Sequence, residues 1–138
     1  MCIRDRQGGD KQTNFILFKG NALASSTTVF IPVTLVDIEP QLGQTIIGVG
    51  GADTNSVSVG RVSSLDMKES GLGTSTTKYL AGINTDFSSG LLVDGSPIFN
   101  LNGDVMGIKL SSDSSKLFTP TSVLKKEMSV LLETPKTP

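Results

Sequence analysis

From Thr13 to Pro120 the apolar residues come in short runs, each soon cut off by Gly, Pro, Asn or a Ser/Thr cluster. No helical period survives there, whereas strand-length segments bounded by turn residues recur. With 15 Gly in 138 residues, the chain is rich in the residue that makes tight turns and poor material for a helical bundle. Six or seven short strands in one domain predict a closed or nearly closed antiparallel barrel. The length allows one core and not two comfortable ones.

Segment by segment, Thr13–Gly20 reads as a short buried strand ended by Gly-Asn. Val29, Ile31, Val33 and Leu35 alternate, but Pro32 demotes that stretch to an edge strand or an extended connector. The run QTIIGVGG predicts a core strand, with Gly48 and Gly50 permitting close packing. In NSVSVGRVSSLD the apolar alternation of Val57 and Val59 shifts phase to Val62, which predicts a bulge at Gly60. TKYLAGINTD is a further strand. Phe99-Asn100-Leu101 and Asp104–Leu110 flank Asn102-Gly103, a strong two-residue hairpin signal. Met106, Ile108 and Leu110 then share one face, with Val105 and Lys109 on the other. Thr119 is the expected N-cap of a closing helix, with Pro120 in its first turn. Leu124, Met128, Leu131 and Leu132 form a stripe that docks it on the sheet, leaving the LKKE charges in solvent.

Charge and composition remove several function classes. The net charge is −1, without a Lys/Arg-rich run, so no nucleic-acid partner is expected. The chain contains no histidine, which rules out a complete Ser-His-Asp or Cys-His site, or a His-ligated metal, within these residues. No cofactor is expected. Residues 1–6, MCIRDR, resemble the in-frame translation of a sequencing-library adaptor and are set aside from fold reasoning. Without Arg4, Arg6 and Asp5 the count is 12 − 2 = 10 basic against 13 − 1 = 12 acidic residues, still near neutral. Cys2 falls in that segment and carries no information on redox compartment.

The segment TDFSSGLLVDGSPIFNLNGDVMGIKL resembles the nucleophile region of trypsin-like serine peptidases, especially their HtrA/Deg branch. That branch reads approximately G-N-S-G-G-P-L-x-N-x-x-G-x-V-I-G-I, and Pro97, Asn100, Gly103, Val105, Gly107 and Ile108 match it without a gap. Thr85-Asp86 match the approach to it. QLGQTIIGVGG, VSVGRVSSL and LFTPTSVL resemble three further family segments in the right order, so the likeness covers Thr13 to Val130. The resemblance implies the second barrel of the trypsin-like fold, a six- to seven-stranded antiparallel Greek-key barrel with a C-terminal α-helix. It divides the chain into residues 7–20 as the end of a first barrel, 21–43 as a connector, 44–133 as barrel plus helix, and 134–138 as a disordered tail. A cell-envelope, periplasmic or extracellular location is suggested by the resemblance alone.

Carried over residue by residue, the likeness puts Asp94 where the family keeps its nucleophilic serine. Gly95 and Ser96 fall on the two following glycines, and Leu92 on a glycine that helps build the oxyanion hole. TNFILFK resembles the segment holding the triad aspartate and puts Asn14 at that position. An anionic Asp94 has no hydroxyl to activate and repels a developing oxyanion. Asn for Asp at the orienting position costs roughly ten-thousandfold in turnover in a well-studied serine peptidase. The expectation is therefore an inactive domain serving as a peptide-binding or scaffold module, whose partners are an extended peptide or protein segment and the parent protein's N-terminal barrel. Leu110, Ser111 and Ser112 map to the strand that pairs with substrate in active relatives. The isolated chain is expected to be weakly stable or to self-associate.

Two alternatives stay open on the residues alone. One is an active endopeptidase in which a two-residue deletion slides Ser96 into the nucleophile position, against which stands the proline directly after it. The other is a non-peptidase β-barrel surface or adhesin domain. The Asp86 and Asp94 carboxylates read as turn formers rather than as an acid–base or metal pair, and Gly71–Ser75 lacks the strand–helix context of a phosphate cradle.

Overall fold

A computed structural model describes residues 3–10, 15–21, 31–37, 39–50, 56–71, 76–88, 92–110 and 117–133. Six strands close into an antiparallel barrel: β3 (Thr45–Gly50), β4 (Ser56–Ser70), β5 (Thr77–Thr85), β6 (Pro97–Phe99), β7 (Val105–Ile108) and β8 (Leu117–Pro120). They are preceded by a separate two-stranded sheet of β1 (Ile3–Asp10) and β2 (Phe15–Asn21), and followed by one helix, α1 (Thr121–Glu133). β1 thus contains Ile3–Arg6, within the adaptor-like segment, paired antiparallel with Phe18–Asn21. β2 is a strand at the expected place but not a buried one, since Ile16 and Phe18 are exposed.

The barrel order is β3-β4-β5-β8-β7-β6, closed by pairing of β6 back onto β3. β3, β4 and β5 form one meander and β6, β7 and β8 another, with β8 inserted beside β5. Each strand sends alternate side chains inward. Ile46, Val62, Leu80, Ile83, Ile98, Met106 and Phe118 from the strands meet Phe87 and Leu92 from the loops in one cluster. Phe87 and Phe118 pack edge to face with ring centroids 5.9 Å apart at 71°. Fully burying a side chain such as Phe118 contributes on the order of 2–3 kcal/mol.

Three expectations are corrected by the register. β3 and β4 pair without interruption from Thr45↔Arg61 to Gly50↔Ser56, so there is no bulge at Gly60. The inward positions of β4 are Ser58, Gly60 and Val62, while Val57 and Val59 face outward at 68% and 69% exposure. Irregularities fall instead between β4 and β5, where Ser63 on β4 and Ala81 on β5 are the extra residues. Secondly, the β6–β7 turn runs from Asn100 to Gly103, closed by the Gly103 N–H on the Asn100 carbonyl at 3.1 Å. Leu101 and Asn102 occupy its centre, and Gly103 takes φ 84°. Asn100 overrides the two-residue turn, because its Oδ1 accepts the N–H groups of both Asn102 and Asp104 at 2.9 Å.

Thirdly, Thr119 is a ladder residue opposite Ile108, and the helix begins only at Thr121. The Thr121 hydroxyl donates to the Val36 carbonyl, tying the helix start to the connector. Both faces of β7 are covered: Met106 enters the core, and Val105, on the opposite face as its alternation implies, is buried beneath the connector, which bridges it through Leu35. The stretch around Pro32 is accordingly an extended connector, and its Ile31 and Val33 are exposed. Along α1, Leu124 is buried, Met128 and Leu131 are half-buried and Leu132 is exposed, so the first turns do most of the docking.

Candidate functional site

The loop from Phe87 to β6 carries the residues singled out by sequence, and it is described from Leu92 onward. Leu92 is buried in the core and anchors it. Val93, Asp94, Gly95 and Ser96 make a β-turn, with the Ser96 N–H on the Val93 carbonyl at 3.0 Å and Gly95 at φ 90°. A positive φ at the third turn position is the type II pattern, and glycine is the residue that adopts it without strain.

That turn sorts the two side chains beside Gly95. Asp94 projects outward with 57% of its side chain exposed. Ser96 points inward and is 3% exposed. Its Oγ accepts the Val93 N–H at 3.1 Å and lies against Gly50, where a Cβ would collide with it. The hydroxyl that stood as fallback nucleophile is therefore engaged in holding its own turn closed. The glycine of the core-strand run serves that contact.

Lys109 is the residue sequence reasoning missed. It follows β7, and only 11% of its side chain is exposed. Its Nζ donates to the Leu92 carbonyl at 2.8 Å and lies 3.9 Å from Asp94 Oδ1. Its backbone locks the same turn twice: the Gly95 N–H donates to the Lys109 carbonyl at 2.6 Å, and the Lys109 N–H to the Ser96 carbonyl at 2.8 Å. An isolated lysine in a strand-like stretch looks like an ordinary solvent-facing residue. Only the closure of β6 on β7 brings it under the turn.

Asp86 and Asp94 have different cationic partners. Asp86 Oδ1 accepts the Arg61 backbone N–H at 2.5 Å, and its Oδ2 lies 3.4 Å from Arg61 Nε. These contacts, the backbone N–H foremost, hold its carboxyl below the usual value of 3.8. The Asp86 N–H donates in return to the Arg61 carbonyl at 3.1 Å, so the pair clamps β4 to the end of β5. Among the described residues, no three Cys, Asp or Glu side chains gather to hold a metal ion. Leu110 is half-buried past the end of β7. Asn14, Ser111 and Ser112 lie outside the described residues.

No protein-family model matches the chain. No curated protein matches its sequence. Among solved structures, the crystal structure of Deg5 superposes with a TM-score of 0.70 at 18% identity, covering 94% of this chain and 61% of that one. The chain thus spans 61% of the length of that neighbour. A backbone likeness of this extent between such different sequences identifies architecture: the closed six-stranded antiparallel barrel with its C-terminal helix is a trypsin-like fold.

Proposed function

We propose that this chain is a trypsin-like peptidase-related domain without hydrolytic activity of its own, acting as a peptide-binding or scaffold module. The observation that carries this reading is the Val93–Ser96 turn, which exposes a carboxylate at its tip and buries its one hydroxyl. Attack on a carbonyl needs a hydroxyl open to substrate and a base within hydrogen-bond reach. Ser96 is closed off, and the chain has no histidine. The nearby cation, Lys109, is committed to the Leu92 carbonyl. Asp94 brings negative charge where an acyl-transfer site requires donors for an oxyanion.

Peptide capture is the role left to such a surface. Leu110 follows β7 at the place where the peptidases this chain resembles pair with extended substrate, and such pairing holds a peptide through backbone hydrogen bonds. Two measurements test the two halves of the proposal. A fluorophosphonate probe should fail to label the protein; labelling that disappears in Ser96→Ala would overturn the inactive assignment. Titration with neutral extended peptides should move the amide resonance of Leu110, and an unmoved resonance would remove the peptide-binding role.

A further inference from the structure

A second surface lies away from the Val93–Ser96 turn. β5 pairs with β4 from Thr77 to Thr85, but its other edge meets β8 only at Ile83 and Asn84. Ala81 is the extra residue of a bulge, which bends β5 where its second partner ends. β8 turns into α1 at Thr121, so among the described residues the first turns of the helix, rather than a strand, face the stretch from Thr77 to Ala81. An open-sided groove of about 800 Å³ remains between them.

Its chemistry is mixed in a directed way. Leu80, Leu110, Leu117 and Val123 supply apolar lining. Lys68 reaches it from β4 and Lys126 from α1, and both are exposed. Neither lysine has an acidic partner among the described residues, whereas the neighbouring Lys78 is paired with Glu69 at 3.5 Å. Among the described lining residues Glu127 is the one acid, against the two cations Lys68 and Lys126, in a protein of net charge −1.

We infer that this groove binds an extended peptide by strand addition to the Thr77–Gly82 edge, and that it selects one with an apolar residue flanked two positions away by carboxylates. The period of two in a strand puts such side chains on one face. The apolar residue enters the lined floor, and the carboxylates meet Lys68 and Lys126 at the two walls. Backbone ladder bonds hold the peptide, while the charges set its composition.

The test uses the full chain and two capped heptapeptides of threonine that carry leucine at the fourth position and either glutamate or lysine at the second and sixth, so that all three side chains share one face. The glutamate peptide should shift the amide resonances of Thr77–Gly82, and the lysine peptide should not. Lys68→Glu with Lys126→Glu, both at exposed positions, should weaken the glutamate peptide by about fivefold to tenfold. The same double variant should gain binding of the lysine peptide while its thermal melt stays unchanged. Equal binding of both peptides to the parent protein would overturn the inference, as would shifts confined to residues outside Thr77–Gly82. Neutral peptides moving Leu110 alone would leave the proposed function standing and sink only this one.

Discussion

Ser96 illustrates how far single residues can be judged before their neighbours are known. Its hydroxyl type fits a nucleophile, yet the Val93 N–H within its own turn and Gly50 on a distant strand decide its use. Ser96→Ala should therefore cost on the order of 1–2 kcal/mol in a denaturant melt, because the Val93 N–H loses its acceptor beside the core. Gly95→Ala should also destabilise, by about 1 kcal/mol, since φ 90° strains any residue with a Cβ. Lys109 was invisible because its partners, the Leu92 carbonyl and Asp94, are brought to it only by the β6–β7 register. Asp86 gives a pH signature. Its carboxyl titrates below 3.8 in the folded state, so its contribution is present above that value and is lost as pH falls through the lowered one. Asp86→Asn should lower stability at neutral pH and reduce its dependence on pH in the acid limb; parallel acid limbs in urea melts of both proteins would refute the linkage.

At the scale of elements, most strands were legible because period-two alternation and turn residues are local signals. What failed was the assignment of faces and ends. Val57 and Val59 mark β4 as a strand, but they point outward, and the inward Ser58 and Gly60 carry no apolar signal to say so. The helix start was misplaced because Thr119 and Pro120 satisfy capping rules as well as ladder positions, and pairing with Ile108 and Gly107 took precedence. The Asn100–Gly103 turn makes a clear test. Asn100→Ala removes three side-chain hydrogen bonds at a buried position, and should destabilise by about 2 kcal/mol or more with little change to the Pro97↔Ile108 pairing. Leu124→Ala should cost about 3 kcal/mol by emptying the contact that seats α1. A drop below 1 kcal/mol would mean that the helix is held mainly through Thr121.

For the molecule as a whole, composition and order of segments were enough to reach a closed barrel with a terminal helix, since few other arrangements bury so many short strands. The outward apolar row was not foreseen. Val49 stands opposite Val57, and Ile47 opposite Val59, on the outer surface of β3 and β4. Such a patch favours association of exposed copies. Sedimentation should reveal concentration-dependent self-association of this chain, relieved by Val57→Lys with Val59→Lys; a monomer at every concentration would contradict it.

The way the barrel is joined has a consequence for its motions. Among the described residues, the two three-stranded meanders meet through only two register pairs on each side, Ile47↔Phe99 with Gly48↔Ile98, and Ile83↔Phe118 with Asn84↔Leu117. Within the first meander, by contrast, β4 and β5 stay paired over eight positions. Rare excursions from the native state should therefore part the molecule along these two short joints, as a clam opens, before either half unravels. Deuterium uptake at amides bonded across the joints would then outpace that at protected amides in the middle of the β4–β5 ladder.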